Sequence, residues 1–434
     1  MKIPNLRWIL AAMLFLATAV NYCDRQALAI VSDRIRLEFS MTEVDYSRIL
    51  AGFFLAYAIM YAGSGYIVDR LGTKKSFALF IAVWSGAAMM HAFATGVWTF
   101  AICRFVLGLG EPGNWPAATK AISEWFPPRQ RALGVGIFNA GSSLGSAMSG
   151  PLVSFLTIVY GWRFAFIAVA AIGFIWLVAW WILYDTPHRS KWITQEEYDK
   201  IKDEVLPAEA TVRADRPKVD WGKVVRTREA TALLLARSFT DPVIYFVIFW
   251  LPAYLVKERH FNQKEIGQYS WVPFVFGGIA YALGGYLSGW LMGRGWSLPA
   301  ARKRIMLLGA ACLPVAMLAP FAPNAGLAIA AICFITFGHG FWTSNLQTMP
   351  ADLFEGHEVG TVAGFAGMGG AVGGMLANLG TGYIVSKFSY APIFLAAGLM
   401  HPMCMAIIFK MLPDGRFRTQ LAGQGPTPGQ TLAR

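Results

Sequence analysis

Two pairs of oppositely charged residues interrupt long apolar stretches in the first third of this chain. Asp24 and Arg25 stand side by side in the segment AVNYCDRQALAI, and Arg104 and Glu111 lie seven residues apart in a later apolar segment. An ionisable side chain is energetically unfavourable inside a hydrocarbon layer, and such side chains usually face a protein interior or a water-filled path. These four residues are therefore the first candidates for chemistry in the chain.

The expected depths of these charges allow them to meet. The helix rise places Asp24 and Arg104 each roughly 10 Å from one membrane surface, and Glu111 about 20 Å from it. We expect Asp24 to pair with Arg104, and Glu111 to lie further in without a neighbouring cation on the next turn. Because arginine binds a planar carboxylate through two hydrogen bonds, Arg25 and Arg104 indicate an organic anion as the ligand. A purely structural set of ion pairs between two helices is the alternative.

The two acids suit proton coupling. A carboxyl group in an apolar site can load and release a proton near neutral pH. We therefore interpret Asp24 and Glu111 as proton-coupling residues, with Glu111 as the better candidate. Competition between a bound anion and Asp24 for Arg104 would link the movement of the proton to that of the anion.

The composition places these charges in a membrane protein. Of the 434 residues, 56% are hydrophobic and 14% are charged, whereas soluble domains carry about 25% charged residues. Apolar segments long enough to cross about 30 Å of hydrocarbon as helices recur along the chain. The sequence therefore predicts an all-α membrane protein with twelve transmembrane helices: 8–31, 47–68, 76–95, 97–118, 133–157, 163–184, 230–256, 268–292, 304–321, 325–347, 359–385 and 391–411.

Charge and polarity predict the orientation and the division of the chain. Lys and Arg are concentrated in the loops on the side of the N-terminus, which predicts a multi-pass membrane protein with both termini in the cytoplasm. The net charge of +12 is mostly this signal, so no nucleic acid partner is needed. We expect an N-terminal six-helix bundle (1–184), a cytoplasmic linker with a short surface helix (185–229), a C-terminal six-helix bundle (230–411) and a disordered cytoplasmic tail (412–434). The five cysteines show no paired spacing, so no disulfide framework, metal site or cofactor is predicted.

A loop motif after the second apolar segment gives a first family resemblance. The sequence GYIVDRLGTKKS resembles the signature loop of the major facilitator superfamily, a fold of two six-helix bundles. The resemblance implies that Asp69, Arg70 and Lys74 gate the cytoplasmic side of a transporter. The corresponding stretch of the second half, GYLSGWLMGRG, has Gly289 where the acid would stand.

Longer motifs resemble the anion:cation symporter family within that superfamily, most closely its bacterial hexuronate transporters. These motifs are NYCDR, RFVLGLGEPGNWPAATKAISEWFPPRQRALGVGIFNAGSSLG, ARSFTDPVIYFVIFWLPAYL and WTSNLQTMPADLF. The resemblance implies proton-driven uptake of a sugar acid such as glucuronate or galacturonate across the bacterial inner membrane, with Asp24 and Glu111 as protonation sites. It assigns substrate contacts to Tyr22, Arg25, Tyr57 and Arg104.

Other polar residues of the fifth, seventh and tenth predicted helices are candidates for the substrate site. They are Asn139, Ser142, Asp241, Trp342, Asn345 and Gln347. Arg237 lies four residues before Asp241, so the two could simply neutralise each other. The tenth-helix candidates could stack on and hydrogen-bond a sugar ring, or could serve helix packing. His339 on the same helix could line the site or relay a proton.

The sequence leaves some functions open and disfavours others. Another organic anion, such as a hexonate like galactonate, a dicarboxylate or an aromatic acid, would suit the same residues, and an efflux or exchange carrier is the remaining alternative. An enzyme is disfavoured because the sequence has no nucleophile–base set, metal cluster or nucleotide motif. A sensor would need an output domain, and a channel would not need paired titratable groups. We expect a monomer whose partners are protons, membrane lipid and a small carboxylate substrate.

Overall fold

The structure is a computed structural model that describes residues 2–201, 220–355 and 358–417. Helices make up nearly all of this part of the chain, and its only β contact is an isolated bridge between Ile3 and Ile193. The long helices are α1 (Leu6–Glu38), α2 (Glu43–Leu71), α3 (Thr73–Met90), α4 (Val97–Gly110 continued by Asn114–Trp125), α5 (Pro128–Tyr160), α6 (Trp162–Leu183), α7 (Arg228–Arg259), α8 (Val272–Gly293), α9 (Leu298–Cys312), α10 (Ala325–Leu346), α11 (Val359–Lys387) and α12 (Ala391–Met411).

Eleven helices of the described chain are long and apolar enough to cross a membrane. They cover every predicted segment except the fourth, which coincides with α4. A short 3-10 helix, Glu111–Gly113, divides α4 into two pieces, because Pro112 lacks the backbone N–H that a continuous helix would use. The predicted all-α membrane fold with twelve transmembrane segments is confirmed.

Most helices extend beyond the apolar segments that predicted them. The segment 8–31 belongs to α1, which runs on to Glu38 and carries Arg36 in its last turn. α2 begins at a capping box in which Thr42 and Asp45 exchange hydrogen bonds. The apolar residues mark the part of a helix that suits hydrocarbon, whereas the helix itself continues until caps and polar ends terminate it.

The helices before and after the linker meet along two main seams, and α1 also packs against α7. α2 packs against α11, and α5 packs against α8 and the short helix Gln263–Tyr269 that precedes it. Glycines permit close approach at both seams, since a Cβ on Gly374 would lie 2.9 Å from the Phe54 ring and one on Gly278 would lie 2.9 Å from Cβ of Ser143. The boundaries assigned to the two halves stay predictions.

The two halves touch at the membrane face that lies away from the linker, which we call the far side. There the Tyr46 hydroxyl donates to the carbonyl oxygen of Phe249 at 2.9 Å. The Gln263 amide donates to the Ile30 carbonyl oxygen at 3.3 Å and to Ser154 Oγ at 3.0 Å. The opposite face, which carries residues 185–201, is called the linker side.

The start of the linker is bound to the start of α1. Residues 195–201 are helical, within the stretch where a short linker helix is predicted. The Glu197 carboxylate accepts hydrogen bonds from the backbone N–H groups of Leu6 and Arg7, at 2.8 and 3.2 Å. This carboxylate therefore satisfies two donors that the first turn of a helix leaves unpaired. Residues 202–219 lie outside the described residues.

The beginning of the predicted tail is packed against the second half. Asp414 lies 2.6 Å from Nζ of Lys303, and the Phe417 side chain is buried. Residues 412–417 are therefore ordered, contrary to the disordered tail predicted from residue 412, and residues 418–434 lie outside the described residues.

Candidate functional site

A cavity of about 2310 Å³ lies between the two halves. Asp69, Arg70 and Lys120 stand at its linker-side mouth, and Tyr22 and Arg25 line its inner end. The far-side contacts close the opposite end. The cavity is larger than a typical small-molecule site because it remains open on one side.

Arg25 is the cation at the inner end of this cavity. Its Nε and Nη2 atoms lie 2.7 and 2.6 Å from one carboxylate oxygen of Glu111, and Nη2 also donates to the Tyr57 hydroxyl at 3.1 Å. The guanidinium carbon lies 4.7 Å from the centre of the Tyr22 ring and 5.0 Å from that of Tyr57. Aromatic faces attract a guanidinium cation and hold its plane. Arg25 therefore has the cavity on one side and a buried carboxylate behind it.

The predicted ion pair between Asp24 and Arg104 does not form. Nη1 of Arg104 donates instead to the backbone oxygen of Arg25 at 3.0 Å. Among the described residues, neither carboxylate oxygen of Asp24 has a hydrogen-bond partner. The prediction that Glu111 lacks a neighbouring cation is also wrong, because Glu111 pairs with Arg25. Neighbouring side chains on a helix point about 100° apart, so when Arg25 faces the cavity Asp24 must turn elsewhere.

Asp24 turns into a polar interior of the first half. Several buried polar side chains of α1, of α3 and the turn after it, and of α4 and its 3-10 interruption have atoms without a partner in the described structure: Asn21, Asp24, Trp84, Ser85, His91, Arg104, Glu111 and Asn114. Such a concentration is unusual, since most buried polar groups are hydrogen-bonded. Asp24, Glu111 and Arg104 lie off the cavity wall, so Arg25 separates the cavity from this interior.

The second half places an ion pair on the cavity wall. Nε and Nη2 of Arg237 each lie 2.8 Å from Oδ2 of Asp241, which is the mutual neutralisation that the sequence left open. The Arg237 guanidinium carbon lies 6.0 Å from the Tyr61 ring, and the Tyr61 and Tyr57 ring centres lie 5.2 Å apart. Two tyrosines of α2 therefore connect Arg25 with Arg237 across the cavity.

The fifth-helix candidates also line the cavity. Nδ2 of Asn139 donates to the Val135 carbonyl oxygen at 2.9 Å, and the Ser142 hydroxyl donates to the Asn139 carbonyl oxygen at 2.7 Å. Both side chains keep acceptor oxygens that a hydroxyl group of a ligand can use.

The tenth-helix candidates divide between the cavity and the helix packing. Gln347 is exposed and lines the cavity. Trp342 is buried and donates through Nε1 to Oγ1 of Thr240 at 3.2 Å. The Asn345 amide donates to the Phe341 carbonyl oxygen at 3.0 Å. Trp342 and Asn345 therefore occupy packing positions in this conformation, away from the cavity wall.

Two of the predicted gating residues pair with charged residues of the first half or of the start of the linker. Asp69 pairs with Lys120 of α4 at 2.9 Å, and Lys74 pairs with Asp185 at the start of the linker at 3.4 Å. Arg70 is exposed at the cavity mouth. The linker side is open in this conformation, so the gating role of these residues stays a prediction.

Sequence reasoning missed four residues on or behind the cavity wall. They are Tyr61, Tyr281, Thr343 and His401. The spacing of Tyr61, one helical turn after Tyr57, is a signal that could have found it. His401 gave no such signal, because it stands alone in an apolar segment and meets His339 only in the folded chain.

A cavity that lies between two groups of membrane-spanning helices and opens on one face is typical of a transporter. The chain belongs to the Major Facilitator Superfamily, whose family model matches residues 14–378 and 300–430. The resemblance and the two-bundle fold inferred from the motifs are confirmed, and the protein is a multi-pass transporter of a bacterial family, not an enzyme.

The similar proteins include transporters of sugar acids. The chain is 31% identical over 418 residues to the hexuronate transporter of Escherichia coli strain K12, and the match covers 95% of each chain. It is 27% identical over 392 residues to the D-galactonate transporter of Escherichia coli O6:H1, covering 89% of this chain and 91% of that protein. The inward-open xylose transporter of E. coli shares the fold, with a TM-score of 0.74 at 14% identity over 96% of this chain and 98% of that chain.

Proposed function

We propose that the protein imports a sugar acid into the bacterial cytoplasm together with protons, by exposing its cavity to each side of the inner membrane in turn. The similarity to hexuronate and D-galactonate transporters supports a sugar acid as the substrate. The excess of Lys and Arg on the linker side supports a cytoplasmic position for both termini. In that orientation the cavity of this conformation opens towards the cytoplasm.

One observation carries the proposal: Arg25 stands at the inner end of the cavity with Glu111 behind it. A guanidinium group can bind a carboxylate through two parallel hydrogen bonds. The substrate carboxylate would approach Arg25 from the cavity and compete with Glu111 for its N–H groups. Tyr22 and Tyr57 hold the guanidinium in place for that exchange.

Charge balance gives this competition a consequence for protons. Asp24, Arg25, Arg104 and Glu111 sum to zero net charge when both acids are ionised. A substrate carboxylate adds one negative charge beside these four buried side chains, where an uncompensated charge is strongly unfavourable. Binding of one proton restores neutrality, and Glu111 is the acid that loses its partner when the substrate takes Arg25. Substrate and proton would therefore be carried together.

The substrate that we expect first is a hexuronate, such as glucuronate or galacturonate. Its carboxylate would bind Arg25, and its ring hydroxyls would bind the acceptor oxygens of Asn139 and Ser142. A hexonate such as galactonate is the second candidate, because the relative that transports D-galactonate aligns over most of both chains.

Uptake by purified protein in proteoliposomes tests the proposal. Radiolabelled D-glucuronate, D-galacturonate, D-galactonate and D-glucose are offered with and without an inwardly directed proton gradient, beside liposomes without protein. We expect at least one of the acids to accumulate only with the gradient, and no accumulation of D-glucose. Uptake of D-glucose equal to that of the acids, or uptake that ignores the gradient, would contradict the proposal.

A further inference from the structure

Two histidines form a buried hydrogen bond beside the cavity in the second half. Nδ1 of His339 lies 3.2 Å from Nε2 of His401, and Nε2 of His339 lies 2.9 Å from Oγ1 of Thr343. Thr343 and His339 line the cavity, and His401 on α12 is fully buried behind them. Among the described residues, the remaining nitrogen of His401, Nδ1, has no partner.

Two neutral arrangements of the protons satisfy both hydrogen bonds. In the first, Thr343 donates its hydroxyl proton to His339, His339 donates from Nδ1 to His401, and His401 carries its own proton on the unpartnered Nδ1. In the second, His401 donates from Nε2 to His339, His339 donates from Nε2 to Thr343, and Nδ1 of His401 is a lone pair. The two arrangements reverse the direction of every hydrogen bond.

The environment of His401 favours the second arrangement. A buried N–H group without a partner is rarer in proteins than a buried acceptor without one. His91 shows where a helical histidine directs an Nδ1 proton, since its Nδ1 lies 2.7 Å from the carbonyl oxygen of Ala87, one turn earlier. His401 makes no equivalent bond to Ala397 in the described structure. We therefore assign the proton of His401 to Nε2 and leave its Nδ1 unprotonated.

The second arrangement determines what Thr343 offers to the cavity. His339 then occupies an acceptor site of the Thr343 oxygen, so the hydroxyl proton points to another group. Thr231 and Thr240 donate their protons to the carbonyl oxygen one turn earlier, but Thr343 has no such bond in the described structure. Tyr281 lies next to Thr343 on the cavity wall. Thr343 can therefore donate its proton to the Tyr281 hydroxyl, which can then donate its own proton into the cavity.

We propose that Thr343, with the Tyr281 hydroxyl beside it, is a hydrogen-bond donor site for an acceptor oxygen of the substrate. This inference rests on the proposed function and adds a contact in the second half to that of Arg25 in the first. Both nitrogens of His339 are engaged, so His339 and His401 are positioning residues that hold Thr343 in its donor state. The ligand oxygen that fits is a hydroxyl or carboxylate oxygen of a sugar acid.

Nitrogen NMR of the histidines tests the relay without any substrate. The chain has six histidines, and the signals of His339 and His401 are assigned in ¹⁵N-histidine-labelled protein in nanodiscs by their loss in His339→Gln and His401→Gln. We expect both rings to carry their proton on Nε2 and none on Nδ1. An Nδ1 proton on either ring would overturn the donor assignment.

Binding measurements test the contact itself. Purified protein is titrated with D-glucuronate and D-galactonate, and with the 2-, 3- and 4-deoxy analogues of D-glucuronate. Thr343→Val should weaken binding of the acid about tenfold, the effect of one hydrogen bond. The wild type should bind D-glucuronate more tightly than one of its deoxy analogues, and Thr343→Val should lose that difference. Thr343→Ser should bind like the wild type. Thr336→Val is the matched control, because that hydroxyl already donates to the Pro273 carbonyl oxygen.

The positioning role predicts a further pattern. The centres of the His401 and Trp342 rings lie 5.2 Å apart. His401→Phe keeps a ring there but removes the donor, so it should raise KM as much as Thr343→Val does and leave kcat unchanged. The double variant should be no worse than either single one, and His401→Gln, which retains a donor near the position of Nε2, should restore KM.

Equal binding by Thr343→Val and the wild type would refute the contact. If the wild type binds neither acid and also takes up none of the three acids of the uptake assay, the proposed function fails and the ligand assignment falls with it, whereas the NMR result still decides the relay.

Discussion

The proposed contact with the substrate carboxylate depends most directly on Arg25. Replacement by lysine keeps the positive charge but removes the planar group that bonds Glu111 and Tyr57 together. We expect Arg25→Lys to raise KM for the acid about 10- to 100-fold, since a bidentate charge-assisted pair is lost. Uptake kinetics in proteoliposomes measure this. Arg163→Lys, on an exposed arginine that bonds Glu38 at the surface, should behave like the wild type, and an unchanged KM in Arg25→Lys would contradict the carboxylate contact.

The sequence predicted which charges matter but not how they pair. It singled out Asp24, Arg25, Arg104 and Glu111, because ionisable residues are rare in apolar segments. The pairs depend on the rotation of α1 about its axis, which one sequence does not reveal. The rotation that turns Arg25 to the cavity takes Asp24 away from it, and the length of the arginine side chain lets it reach Glu111.

At the scale of helices, close packing of α1 against α5 holds Arg25 opposite the polar residues of α5. A Cβ at Gly145 would lie 2.8 Å from Cα of Ala19. We expect Gly145→Ala to destabilise the protein by about 1–3 kcal/mol, because neither backbone can move without disturbing its neighbours. Gly136→Ala on the same helix is the control, since its Cβ would meet no atom within 4 Å. Thermal unfolding of both variants in detergent would measure the difference, and equal melting temperatures would contradict it.

Helix positions followed from hydropathy, whereas breaks and polar contacts at the helix ends did not. The interruption of α4 at Pro112 falls inside a segment that reads as one apolar run. In the second half, Gly289 stands where the loop motif of the first half has its acid. An ion pair nevertheless forms at the same membrane face, where Arg302 lies 3.1 Å from Asp352. Because this pair joins residues far apart in sequence, no local spacing predicts the contact.

For the whole molecule, transport requires the far side to open. Gly150 of α5 and Ser270, just before α8, face each other there, and a Cβ at Gly150 would lie 3.7 Å from Cβ of Ser270. This distance suits a disulfide. We expect the double variant Gly150→Cys/Ser270→Cys to lose uptake on oxidation and to regain it on reduction, because the cross-link holds the linker-side-open state. Each single cysteine variant is a control, and full uptake by the cross-linked protein would refute the alternating motion.

Over the whole transport cycle, the proposed coupling requires Glu111 to exchange Arg25 for a proton when the substrate binds. Glu111→Gln mimics the protonated acid and so frees Arg25 for the substrate. Exchange of substrate across the membrane needs no net movement of protons, whereas accumulation against a gradient does. A proton gradient can drive accumulation only if the protonated and the deprotonated protein bind the substrate differently.

Counterflow measured beside pH-driven accumulation, in proteoliposomes that contain Glu111→Gln, tests this claim most directly. Glu258→Gln, on an exposed glutamate near the end of α7, is the matched control and should perform both reactions. We predict that Glu111→Gln retains counterflow of the acid and loses accumulation in response to a proton gradient. Accumulation by Glu111→Gln at the wild-type level would contradict the account and leave Glu111 as a structural partner of Arg25.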